Sequence, residues 1–156
     1  MRVIVFFVLI LSTCADAQEC VNKSVRIVEG HEPIASSLYE AAKTTDMGAW
    51  DDGEFHTETF SYIGELEFEN EKLYVSYLYT VWGSSCRATS RLIFWNTEFK
   101  QVGQYVSIEK PHFIAKNTLS IPYEEEPESI WKFTGDLPAC LEVANDCFPL
   151  QNQNGL

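Results

Sequence analysis

Two hydrophobic patterns divide this chain. Residues 3–11 form an unbroken apolar run directly after Met1-Arg2. The run is too short to cross a hydrocarbon core, which takes about 20 residues. A positive charge precedes it and Ala15-Asp16-Ala17 follows. That is the form of a secretory signal peptide over residues 1–17, cleaved after Ala17. Residues 18–156 then read as a single disulfide-stapled, β-rich domain.

Within that domain, residues 23–29 alternate Val25 and Ile27 with Arg26 and Val28, which predicts a short first strand. Residues 33–43 predict one helix. Ile34, Leu38, Ala41 and Ala42 fall on one face, and Pro33 suits a first helical turn. Ser37 and Glu40 have capping-box spacing, which would start the helix near Leu38 instead. Residues 44–58 are polar and read as a loop. From Phe60 to Phe68 the period becomes two, with Phe60, Tyr62, Gly64, Leu66 and Phe68 as one inner row. Leu73, Val75, Tyr77, Tyr79 and Val81 form the inner row of the next strand. Residues 87–95 give a third, and Val102, Val106 and Ile108 mark one face of a fourth. Shorter strands are predicted at 113–115, 119–123 and 130–133. Turns at 69–71, 83–85 and 96–98 join the longer ones. The fold class is mainly β: an antiparallel meander forming a small barrel or sandwich, with one short N-terminal helix. Residues 135–156 read as irregular, with 149–156 a flexible tail.

The signal changes the cysteine arithmetic. Of five cysteines, Cys14 leaves with it, and Cys20, Cys86, Cys140 and Cys147 remain. In an oxidising compartment, secreted or periplasmic, four cysteines read as two disulfides. Cys140–Cys147 would close a short local loop, and Cys20–Cys86 would tie the N-terminus to the middle of the chain. No C-x2-C pair suggests zinc. The alternative address is a lipoprotein. Leu11-Ser12-Thr13-Cys14 loosely resembles a bacterial lipobox, which would leave the chain anchored at Cys14. Asn22-Lys23-Ser24 is an N-glycosylation acceptor triplet if the source is eukaryotic.

The net charge is −12, from 23 acidic and 11 basic residues. Such a surface repels nucleic acid and attracts cationic partners. Nothing asks for a cofactor. Candidate chemistry is sparse. No serine sits in a Gly-x-Ser-x-Gly elbow, and the cysteines are engaged, so neither a serine nor a thiol nucleophile is indicated. Asp51, Asp52 and Glu54 cluster beside Trp50. With His56 they could serve a small hydrolase, or they could hold a cation through oxygen ligands. Trp50, Tyr74, Trp82, Trp95 and Tyr105 are candidate binding aromatics, some of them expected on the outer face of the sheet. Gly48-Ala49-Trp50 is similar to the Gly-x-Trp that opens the first barrel strand of lipocalins. The match covers three residues, and Asp51-Asp52-Gly53 departs from the strand pattern, so no family is assigned. The leading expectation is a non-catalytic binding protein that engages a cationic protein partner, as an inhibitor would. The alternatives are a small-ligand carrier with a cup around Leu73, Val75, Tyr77 and Tyr79, and a small hydrolase using residues 51–58.

Overall fold

The computed structural model describes residues 25–45, 56–82, 87–123 and 126–152. It is mainly β with one helix, as the alternation predicts. Strand β1 (Val25–Glu29) leads to helix α1 (Ile34–Thr44). Then come β2 (His56–Glu67), β3 (Lys72–Trp82), β4 (Arg87–Trp95) and β5 (Gln101–Val106). These strands form one sheet in the order β1-β2-β3-β4-β5. Strands β2 to β5 are an antiparallel meander. β1 departs from it and pairs parallel to β2. A parallel neighbour needs a crossover, and α1 supplies it.

A second sheet, β6-β7-β8, is built from β6 (His112–Ala115), β7 (Thr118–Tyr123) and β8 (Glu126–Lys132). A final hairpin joins β9 (Cys140–Val143) to β10 (Asp146–Pro149). The segment expected to be irregular therefore contains two strands. The turn between them is Ala144-Asn145, both at positive φ (49° and 71°), as a tight two-residue hairpin requires. The expected flexible tail is also corrected through residue 151. Leu150 N donates to Ala139 O, and Gln151 exchanges two backbone hydrogen bonds with Gln104 of β5. That strap covers the outer edge of β5. The first sheet does not close on itself, so of barrel and sandwich the sandwich stands.

The first sheet is covered on both faces. On one face α1 lays down Ala35, Leu38, Tyr39 and Ala42, spaced i, i+3, i+4, i+7. Leu38, Tyr39 and Ala42 pack against Phe60, Leu78, Ile93 and Trp95. The helix starts at Ile34 with Pro33 at the cap position and no side-chain cap bond, so the capping-box start near Leu38 is not used. Its last carbonyls are met by Thr44 Oγ1 on Ala41 O and Thr45 Oγ1 on Ala42 O. On the other face Leu66, Leu73, Val75, Leu92, Phe94 and Tyr105 meet Leu119 and Ile121 of the second sheet and Leu141 and Val143 of the hairpin.

A β-bulge divides β2 between these two cores. Phe60 pairs with Leu78 and Tyr62 with Ser76, but Gly64 pairs with Val75 and Leu66 with Leu73. Ile63 is the extra residue. Before it, even-numbered residues face the helix. After it, even-numbered residues face the second sheet. The single inner row expected from Phe60 to Phe68 is therefore two rows on opposite faces. Gly64 sits at φ +145°, and a Cβ there would lie 2.6 Å from the Phe113 ring. Glycine is required on both counts.

Candidate functional site

The structure sorts the candidate residues of the sequence into three groups. Cys14, Cys20, Asn22, Trp50, Asp51, Asp52, Glu54 and Cys86 lie outside the described residues. For His56 and Trp82 the backbone pairing is described, residue to residue across β2 and β3, but the side chains are not. Cys140 and Cys147 are joined, with Cα atoms 5.5 Å apart.

Of the aromatic binding candidates, Trp95 and Tyr105 are corrected. Trp95 and Tyr105 are fully buried, on opposite faces of the same sheet. Trp95 Nε1 donates to Ser76 Oγ at 2.8 Å, and Tyr105 Oη donates to Pro138 O at 2.6 Å. Burial pushes the Tyr105 hydroxyl well above the ordinary tyrosine range. Tyr74 is half-buried, stacked on Phe99 and edge-on to Tyr62. Trp95 and Tyr105 are covered because the helix takes one face of the sheet and the second sheet and hairpin take the other. The cup expected around Leu73, Val75 and Tyr77 is likewise filled. All three are buried, and only Tyr79 of that row stands exposed.

Topology creates two serine constellations that the sequence did not reveal. In the first, Ser61 Oγ donates to Glu29 Oε2 at 2.8 Å. Lys110 Nζ donates to both, at 2.9 Å and 3.0 Å. A nucleophilic serine needs a base that can take its proton. Lys110 is here a donor to both neighbours. Glu29 is held below the ordinary carboxylate range, first by the Lys110 hydrogen bond, then by Ser61 and the Lys110 charge. A weakened base beside a donating ammonium does not activate the hydroxyl. The cluster instead ties β1 to the connection after β5. In the second, His112 lies directly across from Ser120 on β6 and β7, and Ser120 Oγ donates to Glu128 Oε2. The acid holds the serine directly, whereas a triad would place the histidine between them.

The first cluster makes a pH prediction. Glu29 is depressed in the folded state, so its stabilisation is complete above the ordinary glutamate value. It is lost as pH falls through the folded value. Between about pH 5 and about pH 3, wild type should lose more thermal stability than Lys110→Met. The Glu29 carboxyl midpoint, read by NMR, should move upward in that variant. Equal midpoints would show that the ion pair does not hold the carboxylate.

One buried carboxylate belongs to the fold. Glu58 is 2 % exposed and accepts from Tyr39 Oη at 2.8 Å. Burial first, then the Glu58 hydrogen bond and charge, pushes the Tyr39 hydroxyl far up. Among the described residues no three His, Cys, Asp or Glu side chains converge as metal ligands.

Concave surface lies at the β2–β3 turn. One open cleft of about 350 Å³ is lined by Glu67, Phe68, Asn70, Glu71, Lys72 and Lys116. Both of its lysines are committed to acids. Lys72 Nζ lies 3.0 Å from Glu65 Oε1, and Lys116 Nζ lies 2.8 Å from Glu67 Oε2. Glu71 also borders a second groove of about 230 Å³, whose other walls include Leu73, Val102, Asp136, Leu137 and Leu150. This groove is where the sandwich core runs out. Leu73 is buried in that core, and Val102, Leu137 and Leu150 pack half-buried against it. It is built against Gly103, where a Cβ would lie 2.8 Å from Leu150 Cδ1 and 3.4 Å from Leu137 Cδ1. Among the described residues, two carboxylates and no cation line it.

Fold and surface together define a helix-backed β-sandwich with an acidic, apolar-floored groove. Comparison with known protein families, with curated proteins and with solved structures finds no match.

Proposed function

We propose that this chain is an exported, non-catalytic binding protein whose partner is a basic protein, as for an inhibitor of a cationic enzyme. One observation carries the reading: the acidic excess is not consumed internally. Lys43, Lys72, Lys100, Lys110 and Lys116 are each in an ion pair. Glu69, Glu71, Asp136 and Glu142 have no cation partner among the described residues. Arg26, Arg87 and Lys132 are also exposed outside these ion pairs, so the negative charge offered to a partner is a net excess, set by 23 acidic against 11 basic residues. Export is supported by the signal-like residues 1–17. No helix among the described residues is long and apolar enough to cross a membrane.

The test is calorimetric titration of the full mature chain with a short poly-L-arginine. Binding should saturate at a fixed stoichiometry. Affinity should fall at least about tenfold between about 0.02 M and about 0.3 M salt, as screening shortens the reach of the charges. Binding that does not saturate, or that ignores salt, would sink the proposal.

A further inference from the structure

The geometry points to the groove between Glu71 and Asp136 as a receptor for one arginine side chain of a basic partner. The inference rests on the reading above and adds to it a site and a recognised group. At about 230 Å³ the groove falls below the roughly 300–1,000 Å³ usual for small-molecule pockets. It has the scale of one long side chain. Its floor is apolar: buried Leu73, with Val102, Leu137 and Leu150 half-covered where the core ends. Its rim is acidic: Glu71 from the β2–β3 turn and Asp136 from the segment between β8 and β9.

An apolar floor beneath an acidic rim matches a side chain with an aliphatic stem and a cationic head. The two carboxylates are available. Neither is in an ion pair among the described residues, whereas the acid on the far side of the shared wall, Glu67, is bonded to Lys116 and held below the ordinary carboxylate range by it. Charge complementarity therefore selects a cation for this groove rather than for its neighbour. Arginine fits better than lysine for two reasons. Its guanidinium carries donors on several sides and can reach two carboxylates at once. It is also less strongly hydrated, so it sits more readily against leucine side chains. A neutral apolar side chain would leave the rim carboxylates facing it without a partner.

The test uses the full mature chain and three probes: N-acetyl-arginine methylamide, its lysine counterpart and its norleucine counterpart. Titration is followed by amide NMR shifts. The arginine probe should move the amides of Glu71, Asp136, Leu137 and Leu150 first. It should bind at least about threefold more tightly than the lysine probe and tenfold more tightly than norleucine. The paired substitution Glu71→Gln and Asp136→Asn should reduce arginine affinity about tenfold or more. Glu142→Gln, a carboxylate elsewhere on the surface, should change it less than twofold. Leu137→Ala should weaken all three probes alike.

Equal binding of lysine and arginine would overturn the assignment to arginine. Shifts spread evenly over the surface, or indifference to the paired substitution, would overturn the groove. The paired variant is also titrated with poly-L-arginine. Retained, salt-dependent binding there, with the groove result negative, removes the groove and leaves the acidic-surface reading standing. Loss of polyarginine binding in the wild type removes both.

Discussion

Deleting Tyr77 should abolish cooperative folding. The residue lies in the middle of β3, paired with Ser61 of β2 on one side and Leu92 of β4 on the other. Side chains alternate with a period of two, so removing one residue exchanges the faces of everything on one side of the deletion. If the half after it holds its register, Leu73 and Val75 leave the sandwich core. If the half before it holds, Leu78 leaves the helix-side core and the buried Tyr77 ring is lost with it. Loss of one such side chain costs about 3–5 kcal/mol, and a domain's whole stability is about 5–15 kcal/mol. Two losses together exceed what this chain can absorb. Urea unfolding followed by near-ultraviolet circular dichroism should show no sigmoidal transition. Deleting Ile63 is the contrast. It is the extra residue of the β2 bulge, so without it Tyr62 and Gly64 pair with Ser76 and Val75 in regular succession and both halves of β2 keep their faces. That variant should unfold cooperatively, about 1–3 kcal/mol less stable than wild type. A Tyr77 deletion with a wild-type transition would show that alternation in β3 does not hold the two cores together.

Trp95→Ala should carry the next largest penalty, about 4–6 kcal/mol, combining a large cavity with a stranded hydroxyl. Trp95 is completely buried between sheet and helix, against the cluster of Leu38, Phe60, Leu78 and Ile93. Its indole nitrogen donates to Ser76 Oγ, itself completely buried. Trp95→Phe separates the two contributions. It keeps most of the volume and loses the hydrogen bond, and should cost about 1–3 kcal/mol. Ser76→Ala should cost about 1 kcal/mol or more, because the indole N–H then has no acceptor. Urea midpoints should fall in that order at unchanged slope. A Trp95→Ala unfolding free energy within about 1 kcal/mol of wild type would mean that the helix does not depend on this ring.

The strands were legible where one face alternates, and the errors follow from faces that do not. Residues 60–68 looked like one clean inner row because the bulge conceals itself. It keeps even positions apolar while changing what they face. Leu92-Ile93-Phe94-Trp95 carried the opposite information, since an unbroken apolar run is the mark of a strand covered on both sides. Read that way, Trp95 would not have been expected on an outer surface. Helix α1 was found nearly to its ends by its 3.6-residue period. The centre of its stripe lies at Ala35 and Tyr39 as well as Leu38 and Ala42, because small and amphipathic residues are weak markers of a face. The β9–β10 hairpin was missed because Ala144-Asn145 lacks the glycine that usually announces such a turn. The parallel pairing of β1 left no local trace, since it depends on the crossover rather than on the strand. The groove was illegible for a similar reason. Glu71 and Asp136 are far apart in sequence, and only the wrapping of the hairpin and strap around β5 brings them to one rim.

The strap through Leu150 and Gln151 has a consequence for self-association. β5 is an edge strand of the first sheet, and the backbone N–H and C=O of Gln104 are both bonded to Gln151. Unpaired strand edges are where chains join one another. A chain cut after Pro149 should keep both cores yet leave this edge open, and light scattering should show it forming larger species with rising concentration than the uncut chain does.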